Sequence, residues 1–194
     1  VSATGDLEIS ASGDVSQTQF SSLVVAGDAT VTANVITLEN VLNDFQGVVN
    51  ASGSAVVLTD ANSINLGDID VAGDLAVDVL SGAIDDGVSG VAGQDINVVG
   101  SATFSATDAI RLDDTSNDFG AVVNAVGTDL SLRDANDITL GTVFADGGFT
   151  VVASAGKITG SGYVQVTGQT VLQAAGEISL VNALNGFVQS VDVS

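Results

Sequence analysis

Four pairs of closely spaced aspartates are the residues of this sequence whose types and spacing could do chemistry. They are Asp68 with Asp70, Asp85 with Asp86, Asp113 with Asp114, and Asp134 with Asp137. Glycoside hydrolysis needs two carboxylates held about 5 to 9.5 Å apart across a cleft. Acidic residues spread through turns are more often the solvated face of an apolar protein. We therefore predict that no pair is catalytic, that the protein is not an enzyme, and that it has no cofactor-binding residue.

Oxygen-rich segments also raise the question of a calcium site. Calcium prefers oxygen ligands from Asp, Asn and backbone carbonyls. Three segments could supply them, namely Asp60-Ala-Asn62, Asp113-Asp114 and Asp134-Ala-Asn136-Asp137. The EF-hand pattern and the nonapeptide of calcium-binding β-rolls are both missing from the sequence. We predict no metal site, and bound calcium remains the alternative to turn carboxylates that cap backbone amides.

Charge and composition restrict the partners. The 194 residues include 24 acidic and three basic ones, Arg111, Arg133 and Lys157, which gives a formal net charge of −21. Such a chain repels nucleic acid and anionic membrane surfaces. No apolar run approaches the ~20 residues that span a bilayer, so we expect no membrane insertion. Because 45% of the residues are apolar, an acidic disordered tail is also excluded.

A long internal repeat must position any of these residues. Residues 43–67 return 74 positions later as residues 117–141, with 15 of 25 positions identical and no gap. A third copy follows at a shorter interval, where Leu180, Asn182, Asn185 and Phe187 keep the spacing of Leu38, Asn40, Asn43 and Phe45 and of Leu112, Asp114, Asn117 and Phe119. We predict one repeat domain over residues 1–194, with units at about 43–116 and 117–184. The sequence starts in mid-repeat, so we expect a segment of a longer chain.

Short runs of alternating apolar and polar residues, broken at Gly or Asp, indicate β-strands. Strands are predicted, for example, at 55–59, 63–66 and 68–71. Glycines precede such runs at fairly regular intervals, at Gly27, Gly53, Gly73, Gly100, Gly127, Gly147 and Gly168. This predicts an all-β fold, a single-stranded parallel β-helix of about eight coils of about 20–27 residues, about 35 to 40 Å long. A β-sandwich is the alternative, but it has no reason to repeat so long a pattern at a fixed offset.

The repeat also predicts which side chains face inward. Five I-x-L pairs should form inward ladders, at Ile36 and Leu38, Ile64 and Leu66, Ile110 and Leu112, Ile138 and Leu140, and Ile178 and Leu180. Also expected inside are Phe45, Phe119, Phe187, Val49, Val123 and Val191. We interpret as turn residues the asparagines Asn40, Asn43, Asn117, Asn182 and Asn185. Arg111 and Lys157 should point outward.

The motif I-x-L-x-[ND]-x-x-N-[DG]-F, followed by a Val-rich strand and then by L-x-D-A-N-x-I-x-L-G, resembles the repeats of large bacterial filamentous-haemagglutinin-like exoproteins. It is carried by residues 36–67 and 110–141 and more weakly by 178–193. The resemblance implies a right-handed β-helix in a long secreted or surface-attached fibre used in adhesion or cell contact. It provides no catalytic residues.

The leading hypothesis is therefore a structural or adhesive segment, a stiff stalk or fibre-forming module at the bacterial cell surface or outside the cell. Its expected partners are neighbouring repeats or copies of itself stacked end to end, and a host or neighbouring-cell receptor or glycan. The alternative is a carbohydrate-binding or polysaccharide-degrading β-helix protein. Its site would be expected in the longest loop, Ser81 to Gly93, which lacks aromatics for sugar stacking. An ice-binding face is not supported, because only Thr30-Val-Thr32 has the required spacing.

Overall fold

Short parallel strands, joined by turns, form the body of the molecule. The structure, a computed structural model, describes residues 1–18, 20–87 and 94–194. These residues form 26 strands and no helix, so none of them lies in a helix that could cross a membrane. Every strand pairing among them is parallel. The predicted parallel β-solenoid is confirmed.

Two long sheets and one short sheet contain the strands. Face I contains, in stacking order, β2 (Leu7–Ser10), β5 (Ala29–Thr32), β8 (Val48–Gly53), β10 (Ile64–Val71), β12 (Ile84–Asp85), β15 (Ile110–Leu112), β18 (Leu130–Asp134), β20 (Phe149–Ala153), β23 (Thr170–Ala174) and β26 (Val191–Val193), with β13 (Ile96–Val98) and β16 (Asp118–Phe119) beside this path. Face II contains β3 (Val15–Ser16), β6 (Val35–Leu38), β9 (Ala55–Asp60), β11 (Leu75–Val79), β14 (Ala102–Ala106), β17 (Val122–Gly127), β19 (Ile138–Ala145), β21 (Ile158–Gly160) and β24 (Ile178–Leu180), with β22 (Val164–Val166) and β25 (Gly186–Phe187) beside it. The short sheet contains β1 (Ser2–Ala3), β4 (Val24–Val25) and β7 (Asp44–Phe45).

The main strands of face I and face II alternate along the chain, and one of each makes one coil. Nine main strands stack in face II, so the body has about nine coils rather than the predicted eight. Stacked residues lie from 17 positions apart, as Val48 and Asn65 do, to 27 positions apart, as Leu75 and Ala102 do. The widest spacing spans residues 88–93, which lie outside the described residues. The coil length therefore varies more than the glycine spacing predicted.

Inward side chains form one continuous apolar cluster through the stack. The first four I-x-L pairs are buried, as are Phe45, Phe119, Val49 and Val123. Burying a side chain of this size contributes roughly 1.5 to 3 kcal/mol, so the column is the main stabilising feature. In the last coil Ile178, Leu180 and Phe187 are only half-buried. Val191 is in register with the buried Thr170, but it stays 39% exposed because no strand of the described residues stacks above β26, so the prediction that it lies inside is wrong.

Three details of the predicted coils are also wrong. Gly27 does not stack on Gly53 but lies beneath Gly47, where an added Cβ would clash with the Gly27 carbonyl oxygen. The spacing from Gly100 to Gly127 likewise joins different corners, because Gly100 precedes β14 whereas Gly127 ends β17, the strand that stacks on β14. The strands predicted at 63–66 and 68–71 are one strand, β10, with an irregularity between Leu66 and Ile69. Glycine spacing mixes two kinds of corner, which is why it misplaced coils.

The sequence repeat is not a whole number of coils. The I-x-L pair lies on face II in β6, on face I in β15 and on face II again in β24. Seven main-strand steps separate β6 from β15, and seven separate β15 from β24. Each repeat therefore occupies three and a half coils, although the first of these two intervals is longer in sequence than the second. Equivalent residues of successive repeats lie on opposite faces, half a turn apart.

Each repeat also builds a three-stranded side ladder. Side ladder 1 is β1, β4 and β7. Side ladder 2 joins Ile69–Val71 of β10 with β13 and β16 on face I. Side ladder 3 joins Val143–Ala145 of β19 with β22 and β25 on face II. Side ladders 2 and 3 therefore repeat one structure on opposite faces.

Candidate functional site

The aspartate of each D-A-N segment is buried and clips two coils together. Asp60 is fully buried, and its Oδ2 accepts the backbone N–H of Phe45 at 2.8 Å while its Oδ1 accepts that of Asn62 at 2.7 Å. Asp134 repeats the arrangement with Phe119 at 2.9 Å and Asn136 at 2.6 Å. Both oxygens of each carboxylate are thus engaged by backbone amides, as the turn-capping interpretation predicts.

Burial is the largest influence on the pKa values of these carboxyl groups. It raises the pKa of Asp60 and of Asp134 to about 6, although the backbone N–H bonds favour the ionised form and act against the shift. Burial also raises the pKa of Asp86, against hydrogen bonds from the Asp114 backbone and the Asn117 side chain. Proton exchange at these sites therefore couples to folding.

One asparagine in each repeat, buried in the first two and half-buried in the third, accepts a hydrogen bond from a backbone N–H of a neighbouring coil. The Oδ1 atoms of Asn43, Asn117 and Asn185 accept the backbone N–H of Leu23 at 2.9 Å, of Ile96 at 3.0 Å and of Val164 at 2.9 Å, respectively. Asn43 and Asn117 are fully buried, which the turn interpretation did not foresee. Their repetition at one motif position, always with Phe two residues later, was the only available signal.

Asn40 and Asn182 do act as turn residues, as predicted. Their Oδ1 atoms accept the backbone N–H two residues ahead, from Leu42 at 3.0 Å and from Leu184 at 2.8 Å. Asp114 makes the same turn with Ser116 at 2.9 Å. The motif therefore contains a turn residue and, three positions later, an asparagine that bonds a neighbouring coil. We call these asparagines, and the aspartates of the D-A-N segments, clips.

The structure splits three of the four aspartate pairs. In each of them one carboxylate is buried, at Asp86, Asp114 and Asp134, while its neighbour lies nearer the surface. Asp85 pairs with Arg111 at 3.3 Å in an exposed ion pair. Asp137 accepts the backbone N–H of Lys157 at 2.8 Å.

In the remaining pair, Asp68 and Asp70, both residues are exposed on β10. In the three split pairs, therefore, the two carboxylates are not both available to one substrate. Arg111 and Lys157 are exposed, as predicted.

No group of three or more acidic, His or Cys side chains that could hold a metal ion is found among residues 1–18, 20–87 and 94–194. In the segments considered for calcium, the carboxylates of Asp60, Asp114, Asp134 and Asp137 accept backbone N–H groups, and that of Asp113 accepts the Ser131 hydroxyl at 3.4 Å. Calcium binding stays an alternative to be tested. The loop considered for sugar binding is described only as far as Gly87, and its residues 88–93 lie outside the described part of the chain.

One exposed apolar patch lies near the N-terminal end of the stack. Phe20 is 94% exposed, and with Val41 and Leu42 it lines a groove of about 770 Å³. The positions of Val41 and Leu42 are occupied in the next repeat by Thr115 and Ser116. The patch is therefore not a property of every repeat.

A second patch holds the only surface aromatic pair in the described residues. The rings of Phe144 and Tyr163 meet edge to face, with centroids 5.1 Å apart and planes at 81°. Phe144 is exposed because it alternates along β19 with the buried Val143 and Ala145. It borders a groove of about 250 Å³ lined also by Asp146, Gln165, Thr167 and other residues of side ladder 3. Sequence reasoning missed this pair, although the strand alternation places Phe144 outside.

Comparison with known proteins identifies a repeat family. A family model described as repeats of unknown function (DUF5649) matches residues 1–52, 53–126 and 127–194, which together cover the chain. The middle match is as long as the interval between the first two copies of the sequence repeat. Neither a curated protein nor a solved structure matches the chain.

Proposed function

This chain belongs to the DUF5649 repeat family, and from that premise we propose that it is a structural segment: a stiff stalk or fibre-forming module of a secreted or cell-surface protein. The observation that carries the proposal is the single apolar core that runs through all coils and is built from the same motif positions in each repeat. In such a stack each coil contacts only its neighbours, so length grows by adding repeats.

The buried clips support stiffness. Asn43, Asn117 and Asp134 join neighbouring coils through hydrogen bonds shielded from water. A buried polar group left without its partner costs free energy, so sliding or hinging between coils is disfavoured. A rod held in this way spans a distance without bending between its coils.

The surface charge suits an extended segment in water. Acidic residues outnumber basic ones by 24 to three, and the apolar residues are largely inward. Net negative charge keeps neighbouring rods apart. Adhesion to a receptor or glycan, the bacterial cell surface and the filamentous-haemagglutinin-like relationship extend this proposal through the motif resemblance. In this proposal the segment is not an enzyme.

A tandem fusion tests the proposal. The family matches end at residues 52, 126 and 194, so residues 53–194 added after Ser194 continue the repeat order. Two further repeats add seven coils, and we expect a rod about 34 Å longer with unchanged cross-section. Small-angle X-ray scattering measures both quantities.

The matched control joins the same two pieces through a flexible Gly/Ser linker. It should behave as two bodies with a variable separation. If the direct fusion scatters like the linked control, or forms a compact particle, the stalk proposal is wrong.

Self-assembly is a second candidate, favoured by the strand edges. Among the described residues, β2 and β3 at one end and β24 and β26 at the other pair on one side only. Unpaired edges of this kind are templates for another chain. A second copy stacked end to end would continue the core.

A further inference from the structure

Side ladders 2 and 3 have the same backbone but opposite surface chemistry. In side ladder 2 the Ile69 N–H donates to the Asp95 carbonyl at 2.9 Å, and in side ladder 3 the Val143 N–H donates to the Tyr163 carbonyl at 3.0 Å. Asp70 and Asp95 thus occupy the positions of Phe144 and Tyr163. The fold accepts carboxylates at both positions, so the aromatic pair is not needed for folding.

Polar side chains line the groove that Phe144 borders. Gln165 is the direct strand neighbour of Phe144, and its Nε2 donates to the Leu184 carbonyl at 3.1 Å, which fixes the amide beside the ring. Thr167 donates its hydroxyl to the Asp146 carbonyl. The exposed Asp146 carboxylate lines the same groove. The Phe144 ring therefore borders the same groove as an amide and a carboxylate that can bind hydroxyl groups.

We propose that the groove bordered by Phe144, whose ring is backed by Tyr163, binds an uncharged carbohydrate. A pyranose has an apolar C–H face, which packs on the electron-rich face of an aromatic ring, and a rim of hydroxyls, which hydrogen-bond to amides and carboxylates. The net charge of −21 and the adjacent Asp146 oppose acidic glycans. A shallow groove on a strand ladder fits a chain end or a few sugar units rather than a deeply enclosed ligand.

Because successive repeats are half a turn apart, this site and its acidic counterpart lie on opposite faces of the rod. Its acidic counterpart at Asp70 and Asp95 lies on face I, whereas Phe144 and Tyr163 lie on face II. One face of the rod would thus contact neutral glycan while the opposite face stays solvated and acidic. This site deepens the glycan adhesion included in the proposed function, and it does not depend on the spacer role.

The single tyrosine provides a specific reporter. The chain contains one Tyr and no Trp, so tyrosine fluorescence reports on Tyr163 alone. The probes are neutral hexaoses of glucose, mannose and N-acetylglucosamine, with hexagalacturonate as the acidic comparison. We expect a saturable change in Tyr163 emission with at least one neutral hexaose and none with hexagalacturonate.

Matched variants separate binding from folding. Phe144→Asp copies the residue that the fold accepts at the equivalent position, so it should keep the circular dichroism spectrum and the rod shape while weakening binding about tenfold or more. Asp70→Ala, on the opposite face, should leave the affinity unchanged. The proposal is overturned if no neutral hexaose gives saturation, if Phe144→Asp binds as well as the wild type, or if hexagalacturonate binds as tightly. It is also overturned if emission changes only with protein concentration, which would make the patch a contact between copies. Scattering from the tandem fusion is independent of all these outcomes.

Discussion

At the residue scale, buried polar side chains fix the register between neighbouring coils. Apolar side chains in a ladder would tolerate a shifted neighbour, because Val, Ile and Leu have no directional bonds. Asn117 does not, since its amide accepts from Ile96 at 3.0 Å and donates to the Asp86 Oδ2 at 2.7 Å. Breaking this pairing leaves a donor and a carboxylate uncompensated in the core. The clips therefore contribute register as well as stability.

Asn117→Ala should destabilise the protein strongly. The substitution leaves the Ile96 N–H unpaired and removes a donor to the buried Asp86, and we expect the free energy of unfolding to fall by about 2 to 4 kcal/mol. Denaturant unfolding followed by circular dichroism measures the change. The control is Asn97→Ala, an exposed position of side ladder 2, which should stay within about 0.5 kcal/mol of the wild type. Equal effects of the two variants would refute the clip.

Stability should fall as the pH rises through about 6. Burial raises the pKa of Asp60 and Asp134 to about 6 in the folded protein, from 3.8, so the folded state binds more protons than the unfolded state between these values. Their contribution is complete below about pH 4 and is lost as the pH passes 6. Each site should change the free energy of unfolding by about 2 to 3 kcal/mol.

Unfolding curves between pH 5 and 8 test this coupling. Asp134→Asn removes one titrating group and should flatten the dependence, even though it weakens the turn at every pH. Asp70→Asn removes an exposed charge of the same kind and should leave the slope nearly unchanged. A slope that is the same in wild type and Asp134→Asn would show that repulsion between surface charges, not burial, governs the pH response.

At the element scale, the half-turn between repeats is the main organising feature. The same motif forms β6 on face II, β15 on face I and β24 on face II. This is possible because both faces consist of short parallel strands with inward aliphatic residues, so either face can receive the same strand. A repeated surface residue consequently appears on alternate faces of the rod. Two consecutive repeats are the smallest unit that presents the same surface on the same face.

Spin labels can measure the half-turn directly, since the chain has no native cysteine. Asn97 and Gln165 are equivalent residues of side ladders 2 and 3. Three and a half coils separate them by about 17 Å along the axis. In Asn97→Cys/Gln165→Cys we expect a label distance well above this axial separation, because the labels lie on opposite faces.

The matched control is Asn97→Cys/Asp118→Cys. These two residues are strand neighbours on one face, so their labels should interact strongly. A label distance in the first pair that equals the axial separation alone would place both repeats on one face and contradict the half-turn.

At the scale of the whole molecule, a continuous apolar column is enclosed by acidic and other polar turns. The column explains why 45% apolar residues and a net charge of −21 coexist in one chain. Its length is set by the number of coils, and its two faces are set by the alternation of main strands. Any longer assembly must obey the same alternation.

End-to-end filaments of this chain should have a half-turn screw. The first and last main strands, β2 and β26, both belong to face I, so the next strand of a continuous stack must occupy a face II position. The β2 strand of the following copy must then stack on β24. Nine and a half coils give a rise of about 46 Å per copy, with a rotation near 180° plus the small twist of the stack.

Helical reconstruction from electron micrographs tests this screw. A rotation near zero would contradict the strand alternation. A chain that remains monomeric at high concentration would contradict self-assembly while leaving the stalk proposal unaffected.

The sequence by itself determined the solenoid and the identity of most of its core. Alternation fixes which side of a strand a residue faces, and the repeat requires each coil to lie on the one below. Ile36, Leu66, Val123 and Phe119 are therefore inside, as predicted. The same rule could have placed Phe144 outside.

Only the tertiary structure decided how the coils are phased and what covers each residue. The residue above a given position lies 17 to 27 places along the chain, and that number depends on turn conformations that the sequence pattern does not encode. For this reason the glycine spacing misplaced Gly27, and the burial of Asn117 was missed. Val191 was assigned to the core, although no strand of the described residues lies above it. The half-turn between repeats is likewise visible only in the structure, because the sequence does not show how many coils each repeat occupies. Strand geometry is local, whereas stacking depends on a distant part of the chain.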